Sequence, residues 1–314
     1  MTFLITGAYG FVGTNLCRYL EGKGHVCWAL DVPKARREDV PYQAFYNWDQ
    51  LADLPACDVV VHLAGKAHDL KKVASEQSYF DVNVGLTEKI LAAMKNKIGQ
   101  FIYFSSSKAD AHGNAYGRSK LEAERVVEKG FEVSGSKFEG KESLRFEVSS
   151  LRFGWVILRP AMIHGPGNKG NLNLLWGIVR RGLPWPLAAF ENQRSFTSIG
   201  NVCAAVEALA EKRVCGRFFI ADDEMLSTNR LVNLIAEANG KKARLWRLPR
   251  GLMRAAAKIG DVLRLPLNTE RIEKLTEDSF VDNAELKKAL GWEKMPIRAE
   301  DGMRATLKAF RGEA

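Results

Sequence analysis

No stretch of the 314-residue chain approaches the roughly 18–20 consecutive apolar residues that a membrane-spanning helix requires. The amino terminus, MTFLITGAYG, has no basic segment ahead of an apolar one, so it does not read as a secretory signal. Cysteine is scarce. Five residues (Cys17, Cys27, Cys57, Cys203 and Cys215) are scattered through apolar segments, odd in number and without any CxxC. That pattern excludes a disulfide framework and a zinc site, no other metal site is expected, and the thiols are expected to be buried in a reducing, cytoplasmic compartment. Concentrated positive charge is also missing. The net charge of +9 is spread along the chain, and its densest basic stretch, Lys241 to Arg254, is interrupted by Leu, Trp and Pro. Nucleic acid is therefore not an expected partner, nor is a membrane; the charge suits an anionic ligand such as a nucleotide. With 46% hydrophobic and 26% charged residues, the chain is long enough to bury a large core.

The first segments carry a recognisable order. TFLIT reads as a strand, GAYGFVG as a glycine turn with Gly7, Gly10 and Gly13, and TNLCRYLEGKGH as a helix with Val12, Leu16 and Leu20 on one face. VCWALD then reads as a second strand ending at Asp31. Strand, glycine turn, helix, strand and acid together form the βαβ unit that binds dinucleotides. The glycines let backbone approach a pyrophosphate seated at the positive end of the helix, and Phe11 and Val12 lie in that first turn. An acid at the end of the second strand accepts hydrogen bonds from ribose hydroxyls and repels a 2′-phosphate, so NAD is expected over NADP. Arg36 and Arg37 are the residues that a 2′-phosphate would call on.

Further strands end on small or polar residues. CDVVVHLAG is a buried parallel strand ending at Leu63, Ala64 and Gly65, with His62 inside it as a core histidine and His68 in the following loop. SEQSYFDVNVGLTEKILAAMK reads as one long helix with Asn83 in its middle, where an asparagine is normally solvated. QFIYFSSS is a strand ending in hydroxyls, and YGRSKLEAERVVEK is a helix that sets Tyr116 and Lys120 four residues apart on one face. WVILRP is another buried strand, AMIHGPGNKGNLNLL a loop, and CGRFFIADDE a returning strand. Beyond residue 223 the chain reads as helical, with a Ser cap on STNRLVNLIAEANG. The amphipathic RGLMRAAAKIGDVLRL is expected to turn its apolar face inward to cover the C-terminal portion.

TGAYGFVG, Asp31, HLAG, the Asn-Val of FDVNVGLT, SSS, YGRSK, LRPAMIHGPGNKGNL, NQRSFTSIGNV and the C-terminal LTEDSFVDNAELKKALGWEKMPIRAEDGMRATL resemble, in order, an extended short-chain dehydrogenase/reductase of the NAD-dependent epimerase/dehydratase branch. The resemblance implies a doubly wound parallel α/β sheet (a Rossmann domain) with a smaller, mainly helical C-terminal substrate domain. The dinucleotide domain would span residues 1–164, completed by a return segment at about 194–222, with 165–193 and 223–314 holding substrate.

It also implies roles. Tyr116 would be the catalytic acid/base and Lys120 its electrostatic partner, lowering the tyrosine pKa and binding nicotinamide ribose. Ser106 would hold the reacting oxygen, with Ser107 the neighbouring alternative and a substrate contact. Gly7, Gly10, Phe11, Val12, Gly13, Asp31, Leu63, Ala64, Gly65, Asn83, Tyr116, Lys120 and Pro160 would line the cofactor, and Asn171, Leu172 and Arg194 the nucleotide-sugar. His164 is open to a sugar-facing or a structural role. The expected reaction is redox at C4 of a nucleotide-activated sugar, a UDP-sugar 4-epimerisation. The alternatives are NAD(P)H-dependent reduction of a UDP-4-keto-6-deoxy sugar, and a non-catalytic NAD sensor or scaffold. A dehydratase is disfavoured because Ser107-Lys108 stands where that branch carries Asp-Glu. A homodimer is expected through the helices bearing Asn83 and Tyr116, using Val82, Leu86, Ile90, Leu121 and Val126. The chain departs from the family in a short loop between Ser106 and Tyr116 and in a long polar excursion at 130–154.

Overall fold

The computed structural model describes residues 1–67, 75–131, 154–168, 171–263 and 268–312. His68 and nearly all of the 130–154 excursion lie outside the described residues. The chain forms two compact units. One comprises Met1–Ala161, Val202–Ile220 and Asn283–Lys294; the other comprises Met162–Asn201, Ala221–Asp282 and Met295–Ala314. The first unit thus takes in Asn283–Lys294, which the sequence reading leaves with the C-terminal portion, and its return segment begins at Val202 and not at residue 194.

The first unit is a parallel α/β sheet. Its strands are β1 (Thr2–Thr6), β2 (Val26–Leu30), β3 (Ala44–Tyr46), β4 (Cys57–His62), β5 (Ile98–Phe104), β6 (Gly154–Pro160) and β9 (Gly216–Ile220), in the order β3-β2-β1-β4-β5-β6-β9. Every pairing is parallel. The central strands are near-continuous apolar runs because helices cover both faces. Phe3, Leu4, Ile5, Val60, Val61, Phe101, Ile102, Val156, Ile157 and Leu158 have at most 0% relative exposure. The order reverses between β1 and β4, the switch point outside which open α/β sheets bind ligands. There the turn after β1 abuts the end of β4. Gly7 has φ +68°, and a methyl group on it would lie 2.9 Å from the Ala64 amide nitrogen. An L-residue is strained on both counts, which explains a glycine there.

Helix α1 (Phe11–Gly22) buries Gly13, Leu16, Cys17 and Leu20; Val12 is only half-buried and is not part of the core-facing row. The expected long helix is two: α2 (Glu76–Asn83), capped by the Ser75 hydroxyl, and α3 (Gly85–Met94). Helix α4 (Ala115–Phe131) carries Tyr116 and Lys120. Of the residues expected at a subunit interface, Ile90 is fully buried in the core and Val126 packs against that core, because both lie on helix faces turned to the sheet. Val82, Leu86 and Leu121 are half-buried. Helix α6 (Ile199–Lys212) enters this unit at Val202, and α10 (Ala284–Leu290) packs on β9.

The second unit is mainly helical among its described residues. AMIHGPGNKGNLNLL is not all loop: Met162–His164 forms β7, parallel to β8 (Phe196–Ser198), and Asn171 opens α5 (Asn171–Arg180). Helices α7 (Thr228–Ala238), α8 (Arg250–Leu263), α9 (Thr269–Thr276) and α11 (Ala299–Phe310) complete it. The Ser227 hydroxyl caps α7 by accepting from Arg230 N at 3.0 Å. Trp176, Trp185, Phe196, Leu234, Met303 and Leu307 belong to its core.

A buried carboxylate organises the edge of that core. Asp222 accepts from Ser198 N at 2.8 and 3.1 Å and from Asn201 Nδ2 at 2.7 Å. His164 lies against it, with Nε2 3.5 Å from Asp222 and Nδ1 2.9 Å from Thr306 Oγ1. His164 is fully buried, so its role here is structural.

Candidate active site

The glycine turn and the end of β2 are locked together by Asp31. Its carboxylate accepts from Tyr9 N at 3.0 Å and from Val32 N at 2.7 Å. The acid expected to read ribose therefore also fixes the turn that would cradle the pyrophosphate. Gly10 caps α1 with no side chain bonded over the helix start, which leaves first-turn N–H groups for an anion. Both arginines flanking Asp31 are engaged: Arg37 forks onto Asp39 at 2.9 and 2.6 Å, and Arg36 bonds the Tyr42 hydroxyl at 3.1 Å and lies over the Phe45 ring. The glycine turn, the uncapped helix start and the anchored acid together suit the pyrophosphate and ribose of a dinucleotide.

At the other side of the switch point, Leu63 N bonds Thr6 O at 3.2 Å and Ala64 N bonds Thr6 Oγ1 at 3.1 Å. Gly65 follows, and a methyl group there would come 2.8 Å from Asn83 Oδ1 and 3.2 Å from Lys120 Nζ. Asn83, expected to be solvated as a mid-helix residue, is 1% exposed. The helix ends at it, and its amide is used in full. Oδ1 accepts from Lys66 N at 2.7 Å, while Nδ2 donates to Lys66 O at 3.1 Å and to Ser119 Oγ at 2.9 Å. Asn83 thus pins the Gly65-Lys66 backbone to α4. His62, beneath, is a core histidine as its strand position suggests: it sits between Thr6 Oγ1 and Thr87 Oγ1, and burial pushes its pKa down to about 3.

Tyr116 and Lys120 project from α4 toward the ends of β4 and β5. The Tyr116 hydroxyl lies beside the Ser106 side chain, close enough for that hydroxyl to favour the ionised phenol. Ser106 is buried, and its Oγ also accepts from Lys108 N at 3.1 Å. Lys120 is 5% exposed; its Nζ donates to Phe104 O at 2.8 Å and lies 4.9 Å from the centre of the Tyr103 ring. Ser106, Tyr116, Lys120, Gly65 and Asn83 therefore meet. Ser107 is half-buried and donates its N–H to Pro160 O at 3.0 Å, which joins the ends of β5 and β6.

The resemblance has Lys120 and the positive nicotinamide together lower the pKa of Tyr116; in the protein alone that pKa is raised. Burial of the phenol outweighs the effect of the Ser106 hydroxyl and raises it above the usual value, while the ammonium is turned to the Phe104 carbonyl and the Tyr103 ring. Lys120 is itself depressed by burial, pushed down to about 8, and Glu124 opposes that shift.

Glu124 is the functional residue that sequence reasoning missed. It is fully buried on α4, one turn beyond Lys120. Arg159 of β6 forks onto its two oxygens at 2.7 and 2.5 Å, the Ser105 hydroxyl donates to it, and Arg217 Nε lies at 3.4 Å. The signal was present: an arginine inside the apolar strand WVILRP demands a buried anion, and Glu124 continues the four-residue spacing of Tyr116 and Lys120.

The residues assigned to the nucleotide-sugar lie in the second unit. Leu172 is 3% exposed and its side chain belongs to the core, since it faces inward from the first turn of α5, so it offers no side-chain contact. Asn171 opens that helix. Arg194 sits in a short bridge, exchanging backbone bonds with Leu226 at 3.1 and 3.0 Å, and its guanidinium lies over Phe196; burial lowers its pKa from the ordinary value.

Residues 3–220 match the family model described as "NAD dependent epimerase/dehydratase family". The chain is 29% identical to the UDP-glucose 4-epimerase of Vibrio cholerae, over 98% of this chain and 95% of that one. It is 28% identical to the N-acetyl-alpha-D-glucosaminyl-diphospho-ditrans,octacis-undecaprenol 4-epimerase of Escherichia coli O157:H7, over 78% of this chain and 75% of that one. Among solved structures, the UDP-N-acetylglucosamine 4-epimerase of Bacillus cereus superposes with a TM-score of 0.72 at 19% identity, covering 99% of this chain and 100% of that one.

The buried ammonium has a measurable signature. A lysine whose folded pKa is about 8 against an ordinary 10.5 has lost its proton in the native state while the unfolded chain still binds one. Between those values the unfolded state holds more protons, so this group adds stability as pH rises. The unfolding free energy of the protein minus that of Lys120→Met, followed by denaturant titration, is expected to rise between about pH 8 and 10.5 and to be flat below. A pH-independent difference would show that Lys120 titrates normally.

Proposed function

The chain belongs to the NAD dependent epimerase/dehydratase family, an extended short-chain dehydrogenase/reductase, and on that premise we propose that it epimerises C4 of a UDP-linked sugar through Ser106, Tyr116 and Lys120. The observation that carries this reading is the approach of the half-buried Tyr116 to the buried Ser106, one helical turn from the buried Lys120 ammonium. The dinucleotide, when bound, supplies the hydride acceptor and a positive ring charge. Tyr116 takes the proton of the C4 hydroxyl as that carbon becomes a ketone, and returns it when hydride comes back to the opposite face. Ser106 hydrogen-bonds the same oxygen and holds it against the ring. Lys120, Asn83 and the Gly65 backbone support the nicotinamide ribose side. Burial raises the pKa of Tyr116 in the protein alone, which opposes proton abstraction; the positive charge of an oxidised cofactor would favour it.

Both relatives named above are 4-epimerases of sugars carried on a diphosphate. That shared chemistry supports the epimerase reading over reduction of a UDP-4-keto-6-deoxy sugar, and it supports Arg194 as the residue for the diphosphate, since a guanidinium presents a fork of donors. Asn171 and the Leu172 backbone would complete that contact, with Ser107 nearer the sugar.

Tyr116→Phe removes one hydroxyl. It is expected to leave thermal unfolding and dinucleotide binding nearly unchanged while lowering 4-epimerase turnover on UDP-sugars at least roughly a hundredfold. Near-normal turnover by that variant overturns the assignment. NAD is expected to bind more tightly than NADP, because Asp31 is fixed at the ribose end and both Arg36 and Arg37 already have partners. Fluorescence titration of the two cofactors measures this, and equal or tighter NADP binding would refute it. A homodimer through α2, α3 and α4 belongs to the same proposal, with Val82, Leu86 and Leu121 at its centre; light scattering should give twice the 35.0 kDa chain mass, and a monomer at micromolar concentration rejects it.

A further inference from the structure

Helix α8 does not use its apolar residues as its sequence suggests. Met253, Ala257 and Gly260 turn inward, and the larger apolar side chains do not: Leu252 is 57% exposed, Ile259 58% and Leu263 62%. At 3.6 residues per turn, the spacings of seven and four put Leu252, Ile259 and Leu263 on one line, about a third of a turn from the inward row. Trp246, on the extended segment leading into the helix, is 55% exposed as well. Two apolar rows on one helix, one of them uncovered, call for a second partner.

The charge around that row says which partner. Between Lys241 and Leu263 the chain carries seven Lys or Arg and a single acid, Asp261. Asp261 is occupied by Thr269, whose N–H and hydroxyl both bond its carboxylate. Arg250, Arg254 and Lys258 form a third row on α8, and all three are exposed. Lys242, Arg244 and Arg247 are exposed on the preceding segment, with Arg247 3.9 Å from the exposed Glu191. Helix α9, packed against α8, contributes two acids and two bases and so does not offset this charge. A helix is roughly 10–12 Å across, about one Debye length in physiological salt, so this positive field reaches a surface touching the apolar row. Exposed leucine, isoleucine and tryptophan beside lysine and arginine that outnumber the acids around them are the composition of a helix lying in a lipid interface.

We propose that α8 and the segment from Lys241 dock this protein on an anionic lipid bilayer, with Leu252, Ile259 and Leu263 entering the acyl boundary and the flanking basic residues meeting lipid phosphates. The expectation of no membrane partner rested on the lack of a spanning apolar run and on the apolar face of this helix being spent on the interior. The structure spends only its small residues and one methionine there. Docking of this kind needs no spanning segment, and among the described residues no helix is long and apolar enough to cross a membrane. The proposal is independent of the sugar reading, because none of these residues has a part in Ser-Tyr-Lys chemistry.

The test is co-sedimentation of the full chain with vesicles of phosphatidylcholine alone and of phosphatidylcholine with phosphatidylglycerol, across a salt series. The protein is expected to pellet with the anionic vesicles at least roughly tenfold more than with the neutral ones near 0.1 M salt, and to be released as salt rises. Leu252→Glu with Ile259→Glu should abolish this while circular dichroism shows a folded chain. Arg254→Glu with Lys258→Glu should remove the preference for anionic lipid. The salt series on the unaltered protein stands without any variant. Equal recovery with both vesicle types at every salt overturns the proposal. So does anionic binding that survives Leu252→Glu with Ile259→Glu, as does a lipid-independent dimer that the same substitutions dissociate, which would make the row a contact between copies of the chain.

Discussion

Lys120 keeps an ammonium out of water, and much of the polar arrangement around it answers that cost. A buried charge is tolerated only when it is hydrogen-bonded and electrically balanced. The Phe104 carbonyl and the Tyr103 ring receive the ammonium directly, and Glu124 supplies balancing charge one turn along the same helix. Glu124 then needs cations of its own, which Arg159 and Arg217 bring from β6 and β9. A charge on one helix is in this way tied to three neighbouring strands, since Ser105 adds β5's end. The helix that carries Tyr116 is held in register with the sheet by this ladder as well as by apolar packing of Ala123 and Val127.

The same logic operates with opposite sign at the adenosine end. There an anion, Asp31, is half-buried and satisfied by two backbone N–H groups, and the effect is to fix a turn and not a helix. In the second unit, Asp222 does comparable work between β8, the start of α6 and His164. Three carboxylates thus set three local geometries, each at a place where apolar packing alone would leave the backbone direction undetermined. Removing the charge from any of them leaves buried donors without acceptors, a cost of order 1–3 kcal/mol per group.

Much of the site was legible in order along the chain. The glycine turn, Asp31, the strand ends at Leu63-Ala64-Gly65 and Ser105-Ser106-Ser107, and the four-residue spacing of Tyr116 and Lys120 all depend on local periodicity, and periodicity survives without a partner in view. Asn83 was misjudged because its environment is made by Gly65, Lys66 and Ser119, which are distant in sequence. For Ile90 the sequence leaves both the sheet and a second subunit open, because a helix with apolar residues on most sides does not say which side meets the sheet. Leu172 is a substrate contact by resemblance alone, and the glycine, proline and asparagine content around it, which reads as loop, hides the start of α5.

The sequence by itself determined most of the succession of strands and helices, the glycine turn with its acid, and the four-residue spacing of Tyr116 and Lys120 on one helix face. It could do so because each follows from spacing within one segment or from short-range turn chemistry. Only the tertiary structure decided how the ionisable groups behave: Tyr116 is raised and Lys120 lowered because burial, a property of the assembled fold, outweighs the opposing effects of Ser106 on the one and Glu124 on the other. It also decided which row of α8 is spent on the core. Two apolar rows on one helix are equivalent in sequence, and the small residues went inward because Met253, Ala257 and Gly260 allow closer packing than Leu252, Ile259 and Leu263 would.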